Sequence, residues 1–149
     1  MTAQFHVTNA DYARVVRESF ARQGLMGTLG ARIITIEPGL CIIEMDYSSG
    51  VSQQQGFFHG GAIGAIADNA AGYAAYSLMP AGSKIFTVEY KINLIRPAVP
   101  PVLRAEGRVL RASKTLTVSR ADVYHTGSNG LEACALLQST LIRVEPSVA

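Results

Sequence analysis

GGAIGAIADNAAGYAAYSLM, residues 60–79, is the most apolar stretch of this 149-residue sequence. Ala and Gly crowd it, and Asp68 and Asn69 interrupt it. A membrane span needs about 20 predominantly apolar residues with few or no charges, so the stretch reads as a helix buried inside a protein. It predicts a central helix over about residues 59–78, starting at His59 or Gly60. Strand periodicity surrounds it. Beyond Pro80-Ala81-Gly82, the residues Phe86, Val88, Tyr90, Ile92 and Leu94 alternate with Thr87, Glu89, Lys91 and Asn93, the pattern of a strand with one apolar face. Three more β-like runs follow at 102–111, 115–124 and 131–144, separated by turn signals at Ala112-Ser113-Lys114 and residues 126–130. Upstream, the runs 30–36 and 40–47 are joined by Glu37-Pro38-Gly39, a tight hairpin turn. A first helix over about residues 8–24 has Thr8 or Asn9 as its cap. Tyr12, Val15, Val16, Ser19 and Phe20 form its buried stripe, and Gly24 and Gly27 end it.

Neighbouring strands joined by short turns pair antiparallel, because parallel neighbours need long crossovers. Six strands must then cover one very apolar helix. The expected fold class is α+β, a curved antiparallel sheet wrapped around a long central helix, in a single domain of residues 1–149. The chain is 48% hydrophobic and 16% charged with a net charge of +2. That apolar excess exceeds what disordered chains carry. The mild charge, with no basic run interleaved with aromatics, argues against nucleic acid as a partner. Cys41 and Cys134 are too isolated for a disulfide framework or a zinc site. The first ten residues lack a basic start and an apolar signal core, so a cytoplasmic protein that is neither exported nor membrane-bound is the expectation.

Chemistry concentrates between Gln53 and Asp68. His59-Gly60-Gly61 opens the central helix, whose first turn leaves N–H groups unpaired. Gly lets a substrate approach the backbone closely, and the unpaired N–H groups with the positive end of the helix dipole suit a carbonyl oxygen gaining negative charge. The structural alternative is a loop-to-helix junction where Gly relieves crowding. Asp68 lies mid-helix among Ala, Gly and Ile. A buried carboxylate costs several kcal/mol unless it is paired or hydrogen-bonded. Steps of four place Gly60, Gly64, Asp68 and Gly72 on one face, so the carboxylate looks out from a row almost without side chains. That row leaves room for a ligand or for close contact with a partner helix. Asp68 there can act as general base toward water or attack a carbonyl directly. A structural Asp held by a strand or by Asn69 is the alternative.

The order Gln53, Gly56, His59-Gly60-Gly61, Asp68, continued by FTVEYKIN at 86–93 and Arg96-Pro97-Ala98, resembles the hotdog-fold acyl-CoA thioesterases. The branch it resembles is the PaaI-like group, which includes phenylacetyl-CoA thioesterase. The resemblance covers about residues 27–144. It implies that the Gly60 N–H holds the thioester carbonyl oxygen, and that Asp68 is the nucleophile or the base that activates water. It also implies that Thr87 orients that water or the carboxylate, and that His59 positions the thioester. Gly61, Phe57 and Phe58 fall beside these as substrate-binding candidates. The resemblance further implies a homodimer with each site shared between protomers, and a tetramer of paired dimers. It implies no metal and no redox cofactor, CoA being part of the substrate. Many relatives carry Asn where this chain has Gln53. Gln adds a methylene, and a misplacement of about an ångström can cost about a hundredfold in rate.

Arg111, Lys114 and Arg120 flank a late turn, and in relatives basic residues on comparable strands and loops meet the phosphates of coenzyme A. A solvated strand edge accounts for them equally well. Phe57, Phe58, Tyr73 and Tyr76 are candidates for an acyl pocket, or simply core. His6 and His125 have no partners at ligand spacing. Two other functions compete with hydrolysis: a non-catalytic acyl-CoA binding or sensing domain, and a hotdog dehydratase or hydratase. The latter would carry Asp-x-Asn-x-x-His or a long Pro-Gly loop, and neither is present.

Overall fold

The computed structural model describes residues 5–146; residues 1–4, part of the stretch read above for export signals, and 147–149 lie outside the described residues. Helix α1 spans Tyr12–Ala21 and α2 Gly24–Leu29. Strands β1 (Arg32–Glu37) and β2 (Leu40–Asp46) form a hairpin, followed by a 3-10 turn at Ser49–Val51. Then come the central helix α3 (Gly60–Tyr76) and β3 (Lys84–Leu94), β4 (Val102–Ala112), β5 (Leu116–Gly127) and β6 (Gly130–Val144). All six strands belong to one sheet in the order β1-β2-β4-β5-β6-β3, and every pairing is antiparallel. This is the α+β layout expected, with β3 carried past the others to an outer edge. Among the described residues no helix is long and apolar enough to cross a membrane.

The N-terminal helix differs from the expectation. It is two helices, and Gly24 begins the second instead of ending the first. The true stop is Gly30, left-handed at φ 66°, a conformation Gly adopts without steric cost. Thr8 caps nothing: its Oγ1 donates to the Leu78 carbonyl near the end of α3, while the Asn9 side chain accepts from the Asp11 N–H. Of the expected stripe only Val16 is fully buried.

The sheet meets α3 along small residues. Cys41, Gly107 and Ala121 lie side by side across β2, β4 and β5, and the helix above them presents Ala67, Ala70, Ala71 and Ala74, all fully buried. At Gly107 the approach is closest: a methyl group there would collide with the backbone C and O of Ala70. Backbone-to-backbone packing of this kind is why an Ala- and Gly-rich sequence makes a stable central helix despite its modest propensity at Gly. The far end of α3 is tied down by buried Ser77, whose hydroxyl donates to the Ala74 carbonyl and accepts from the Gly39 N–H in the β1–β2 turn.

The glycine face of α3 is covered by β3, running antiparallel to it. A Cβ at Gly60 would meet Leu94, and one at Gly64 would meet the Tyr90 hydroxyl. The predicted strict alternation along β3 fails at one place. Thr87 pairs with Leu141 but Glu89 pairs with Thr140, so Val88 is an extra residue, a β-bulge. Leu94, Ile92 and Tyr90 face inward opposite Ala135, Leu137 and Ser139. Beyond the bulge the phase switches, so Thr87 and Ile85 face inward while Phe86 turns out, 56% exposed.

Candidate active site

Asp68 projects from the third turn of α3 toward the inward face of β3 just past the bulge. Thr87 Oγ1 donates to Asp68 Oδ1 at 2.9 Å. The bulge makes this contact: with unbroken alternation Thr87 would point outward with Glu89 and Lys91. No basic side chain pairs with the carboxylate among the described residues. Burial therefore dominates its titration and pushes the Asp68 carboxyl above its ordinary range, with the Thr87 hydrogen bond pulling the other way. A carboxylate raised in this way is a better base than a solvated one, because its proton affinity lies closer to neutral pH.

Both residues open onto a cavity of about 250 Å³. Gly72, Ile85 and Leu141 form its apolar walls. At another margin lie Tyr73 of α3, Ser19 of α1 and Gln23, the residue before α2. Gln23 Nε2 donates to the Tyr73 hydroxyl at 2.7 Å, and Ser19 Oγ lies 3.1 Å from the same oxygen.

A second cluster forms at the N-terminus of α3. His59 caps the helix, its Nδ1 accepting from the Gly61 N–H at 2.8 Å, which leaves the proton of a neutral ring on Nε2. Ala62 and Ile63 donate to the His59 carbonyl. The Gly60 N–H is left without a partner among the described residues and points along the positive end of the helix dipole. Gly60 lines a cavity of about 340 Å³ with Gln53, Phe57, Phe58, Leu94 and Arg96. His59 and Gly61 face a different cavity of about 240 Å³ beside Leu25 and Leu29 of α2.

Other sequence-predicted residues fall in varied places. The Gln53 amide is folded onto its own loop, accepting from the Gln55 N–H and donating to Gln55 Oε1 at 3.2 Å, and does not touch His59. Phe58 is buried edge-to-face against Tyr47, with centroids 5.2 Å apart. Tyr76 donates to the Ser83 carbonyl, outside all three cavities. Arg120 is paired with Asp122 at 2.6 Å on the sheet face away from α3. Lys114 lies by the C-terminal end of α3, near Leu78 and Met79, and Arg111 near the exposed end of β4. The structure thus unites Asp68 with Thr87, and Gly60 with Gln53, Phe57 and Phe58, while the three basic candidates join neither group. His125 is buried with both ring nitrogens unpaired, its Nε2 4.0 Å from Glu132. Among the described residues no group of three His, Cys, Asp or Glu side chains is placed to hold a metal ion.

The chain is similar to known proteins in sequence and in fold. The sequence profile described as Thioesterase superfamily matches residues 55–131, which include His59, Gly60, Asp68 and Thr87. The chain belongs to the thioesterase superfamily. Its hotdog sheet and helix superpose on a thioesterase family protein from Silicibacter pomeroyi with a TM-score of 0.88 at 40% identity, covering 91% of this chain and 99% of that one. A 1,4-dihydroxy-2-naphthoyl-CoA hydrolase of Listeria monocytogenes is 24% identical over 95 residues, 64% of this chain and 77% of that one. The PaaI protein from the phenylacetic acid degradation operon of E. coli shares the fold, with a TM-score of 0.80 at 20% identity over 92% of this chain and 96% of that one. Membership makes this thioesterase-superfamily chain a hydrolase of the hotdog type.

Gln23, Arg96 and, in its lining role, Ser19 are polar residues of these cavities that the sequence reading did not single out. Ser19 did stand out as the one short polar side chain in the α1 stripe, while Gln23 lies past the end of α1 and carried no such signal. Arg96, whose guanidinium pairs with Glu132 at 3.1 Å, is the basic side chain beside Gly60.

Proposed function

We propose that this chain hydrolyses acyl-CoA thioesters to a free carboxylic acid and CoA, in a homodimer whose sites are shared. The observation that carries the proposal is Asp68: a carboxylate with no cationic partner among the described residues, held by Thr87, facing open space inside a thioesterase fold. As general base it takes a proton from water while the water oxygen bonds to the thioester carbonyl carbon. The carbonyl oxygen becomes an oxyanion against the Gly60 N–H. The tetrahedral adduct then collapses, the C–S bond breaks, and the CoA thiolate leaves with the proton that Asp68 had taken. In the alternative route Asp68 attacks the carbonyl itself, CoA leaves, and water hydrolyses the mixed anhydride. CoA belongs to the substrate, and neither route calls for a metal or redox cofactor.

The sharing that the family resemblance implies is compatible with helix geometry. Gly60 and Asp68 are eight residues apart on α3, about 12 Å along the axis, too far for one carbonyl group to meet both. A second chain related by a two-fold axis sets its α3 antiparallel to the first, so that Asp68 of one protomer serves the carbonyl held at Gly60 of the other. The edge strand supports this pairing. Its outer side has unpaired backbone groups, and Phe86, Val88, Tyr90 and Leu94 are each about half exposed (47–56%), a pattern that invites another strand.

The test is thiol release from a panel of aromatic, short and medium acyl-CoAs, by wild type and Asp68→Asn together. Turnover by wild type, lost in the variant while the dimer and acyl-CoA binding persist, is the expected result. Tight binding without turnover on any substrate would move the reading to a sensing domain.

A further inference from the structure

We infer that Arg96 is a catalytic residue of the Gly60 cavity, a role that rests on the acyl-CoA hydrolase reading above. Its guanidinium faces the carbonyl oxygen as that oxygen gains charge, and Glu132, with His125 behind it, is its positioning residue. Leu94 of β3 sits against Gly60. Arg96 follows two residues later and lines the same cavity. A cation there runs against the helix dipole, because the first turn of a helix carries partial positive charge and favours anions. Guanidinium and helix end thus turn charge of one sign toward a single space, which suits a group that becomes negative there.

Several local features hold Arg96 against that repulsion. Its Nη1 donates to Glu132 Oε2 at 3.1 Å, which leaves Nε and Nη2 without partners among the described residues. The backbone N–H groups of Ile95 and Arg96 both donate to the Cys134 carbonyl. Cys134 is itself an extra residue: Val123 pairs with Ala135 but Tyr124 pairs with Ala133, a second β-bulge. With unbroken alternation Glu132 would oppose Thr126 on the outer face of the sheet. The bulge sets it opposite His125, on the face of β5 that carries Ala121 and Val123 toward α3. Gly127 leaves it room, since a Cβ there would overlap the Glu132 carboxylate. His125 is 4% exposed, and neither ring nitrogen has a partner among the described residues. Its Nε2 lies 4.0 Å from Glu132 Oε2, the same oxygen that Arg96 bonds. A buried imidazole without partners costs stability. Behind this carboxylate it has a use, because a ring with its proton on Nε2 is a donor at the back of Glu132.

When water adds to the thioester carbonyl, the C=O electron pair moves onto oxygen. The Gly60 N–H and the free N–H groups of Arg96 then meet that charge together. The pair returns as the C–S bond breaks and the CoA thiolate leaves. Arg96 therefore acts on the transition state more than on the bound substrate, and its loss belongs in kcat.

The experiment measures kcat and KM for the acyl-CoA that wild type turns over fastest. The same is done for the S-acyl-pantetheine of that acyl group, which has no phosphates. Arg96→Gln is expected to lower kcat by about 10- to 100-fold on both, with KM within about threefold. Arg96→Lys keeps the charge but not the planar fork, so it should fall between, and it reads the same effect if Arg96→Gln unfolds the chain. Glu132→Gln is expected to lower kcat by about five- to tenfold alone and to have no further effect in the Arg96→Gln chain. A merely structural Glu132 would cost the same in both backgrounds. His125→Leu removes the unpaired nitrogens, so Tm should hold or rise while kcat falls severalfold; an unchanged kcat would overturn that residue's part.

An unchanged kcat in Arg96→Gln would overturn the inference. So would a loss confined to KM, or one seen with acyl-CoA and absent with the pantetheine thioester, since either makes Arg96 an anchor for the CoA phosphates. Where wild type turns over only the acyl-CoA, kcat for that substrate decides. No hydrolysis of any acyl-CoA by wild type would overturn the hydrolase reading beneath it.

Discussion

At the level of single residues, Asp68 sets the function against the stability of the fold. Its carboxyl is raised by burial, so the folded chain binds a proton more tightly than the unfolded chain. By linkage, stability from this group is fully present below the unfolded pKa and is lost as pH rises through the folded one. At neutral pH the charge therefore weighs on the fold. Asp68→Asn is expected to lower kcat by roughly 10²- to 10⁴-fold while leaving Tm unchanged or raised, read by thiol release and thermal melts on one preparation. The same shift predicts that activity falls on the acid side at a pH above the ordinary carboxylate range, where Asp68 takes up its proton. Thr87→Val removes the hydrogen bond that favours the ionised form. The acid limb of its pH–rate profile should move to higher pH, with kcat down by about tenfold or more; an unmoved limb would remove Thr87 from the machinery. Asp68 was legible in the sequence because a carboxylate among Ala and Gly has few structural explanations. Gln53 shows the converse: its spacing put it beside His59, but the direction of a long amide depends on its own loop, where Gln55 supplies nearer partners.

Among the elements, α3 was legible nearly to its ends, since a long apolar run flanked by period-two segments has one solution, and His59 marks its start with a side-chain cap. Two features had no such signal. Gly24 and Gly27 read as breakers, yet α2 forms across them because its stop comes from Gly30. The bulge at Val88 is invisible because an extra residue in an alternating run looks like the run itself. The contact of α3 with the sheet gives a stability prediction. Gly107→Ala drives a methyl into the Ala70 backbone, which cannot yield as a side chain would. A loss of roughly 3 kcal/mol and a Tm lower by about 6–12 °C are expected in thermal denaturation, and a melt within a degree of wild type would contradict the packing described. The helix start offers a cleaner functional test. Proline is welcome at the first helical position, and His59 already has φ −68° and ψ 138°, the extended backbone that precedes proline. Gly60→Pro thus deletes the unpaired N–H and is expected to keep the helix, its Cβ meeting the end of the Leu94 side chain. A fall in kcat of about 10²- to 10³-fold with an unchanged circular dichroism spectrum is expected.

For the whole molecule, the sharing of sites proposed above would make assembly part of the chemistry. Mixing Gly60→Pro and Asp68→Asn chains, each inactive alone, should restore about a quarter of wild-type activity, because half of randomly paired dimers carry one sound site of two. No recovery after subunit exchange would show that each chain works alone. That two-chain reading rests on the family resemblance, since periodicity describes a chain folding on itself and says nothing of its neighbour. The cavity margin formed by Ser19, Gln23 and Tyr73 escaped for a related reason: about fifty residues of sequence separate α1 from Tyr73, and only the packed fold makes them adjacent. Strand β3 finally carries two duties in different phases, its upper half closing over the glycines of α3 and its lower half aiming Thr87. Val88 is the spacer between them. Deleting it would act like a frameshift written in side chains instead of codons: residues 84–87 would keep their identities but exchange faces, swinging Phe86 into the hollow beside Asp68 and Thr87 out into water.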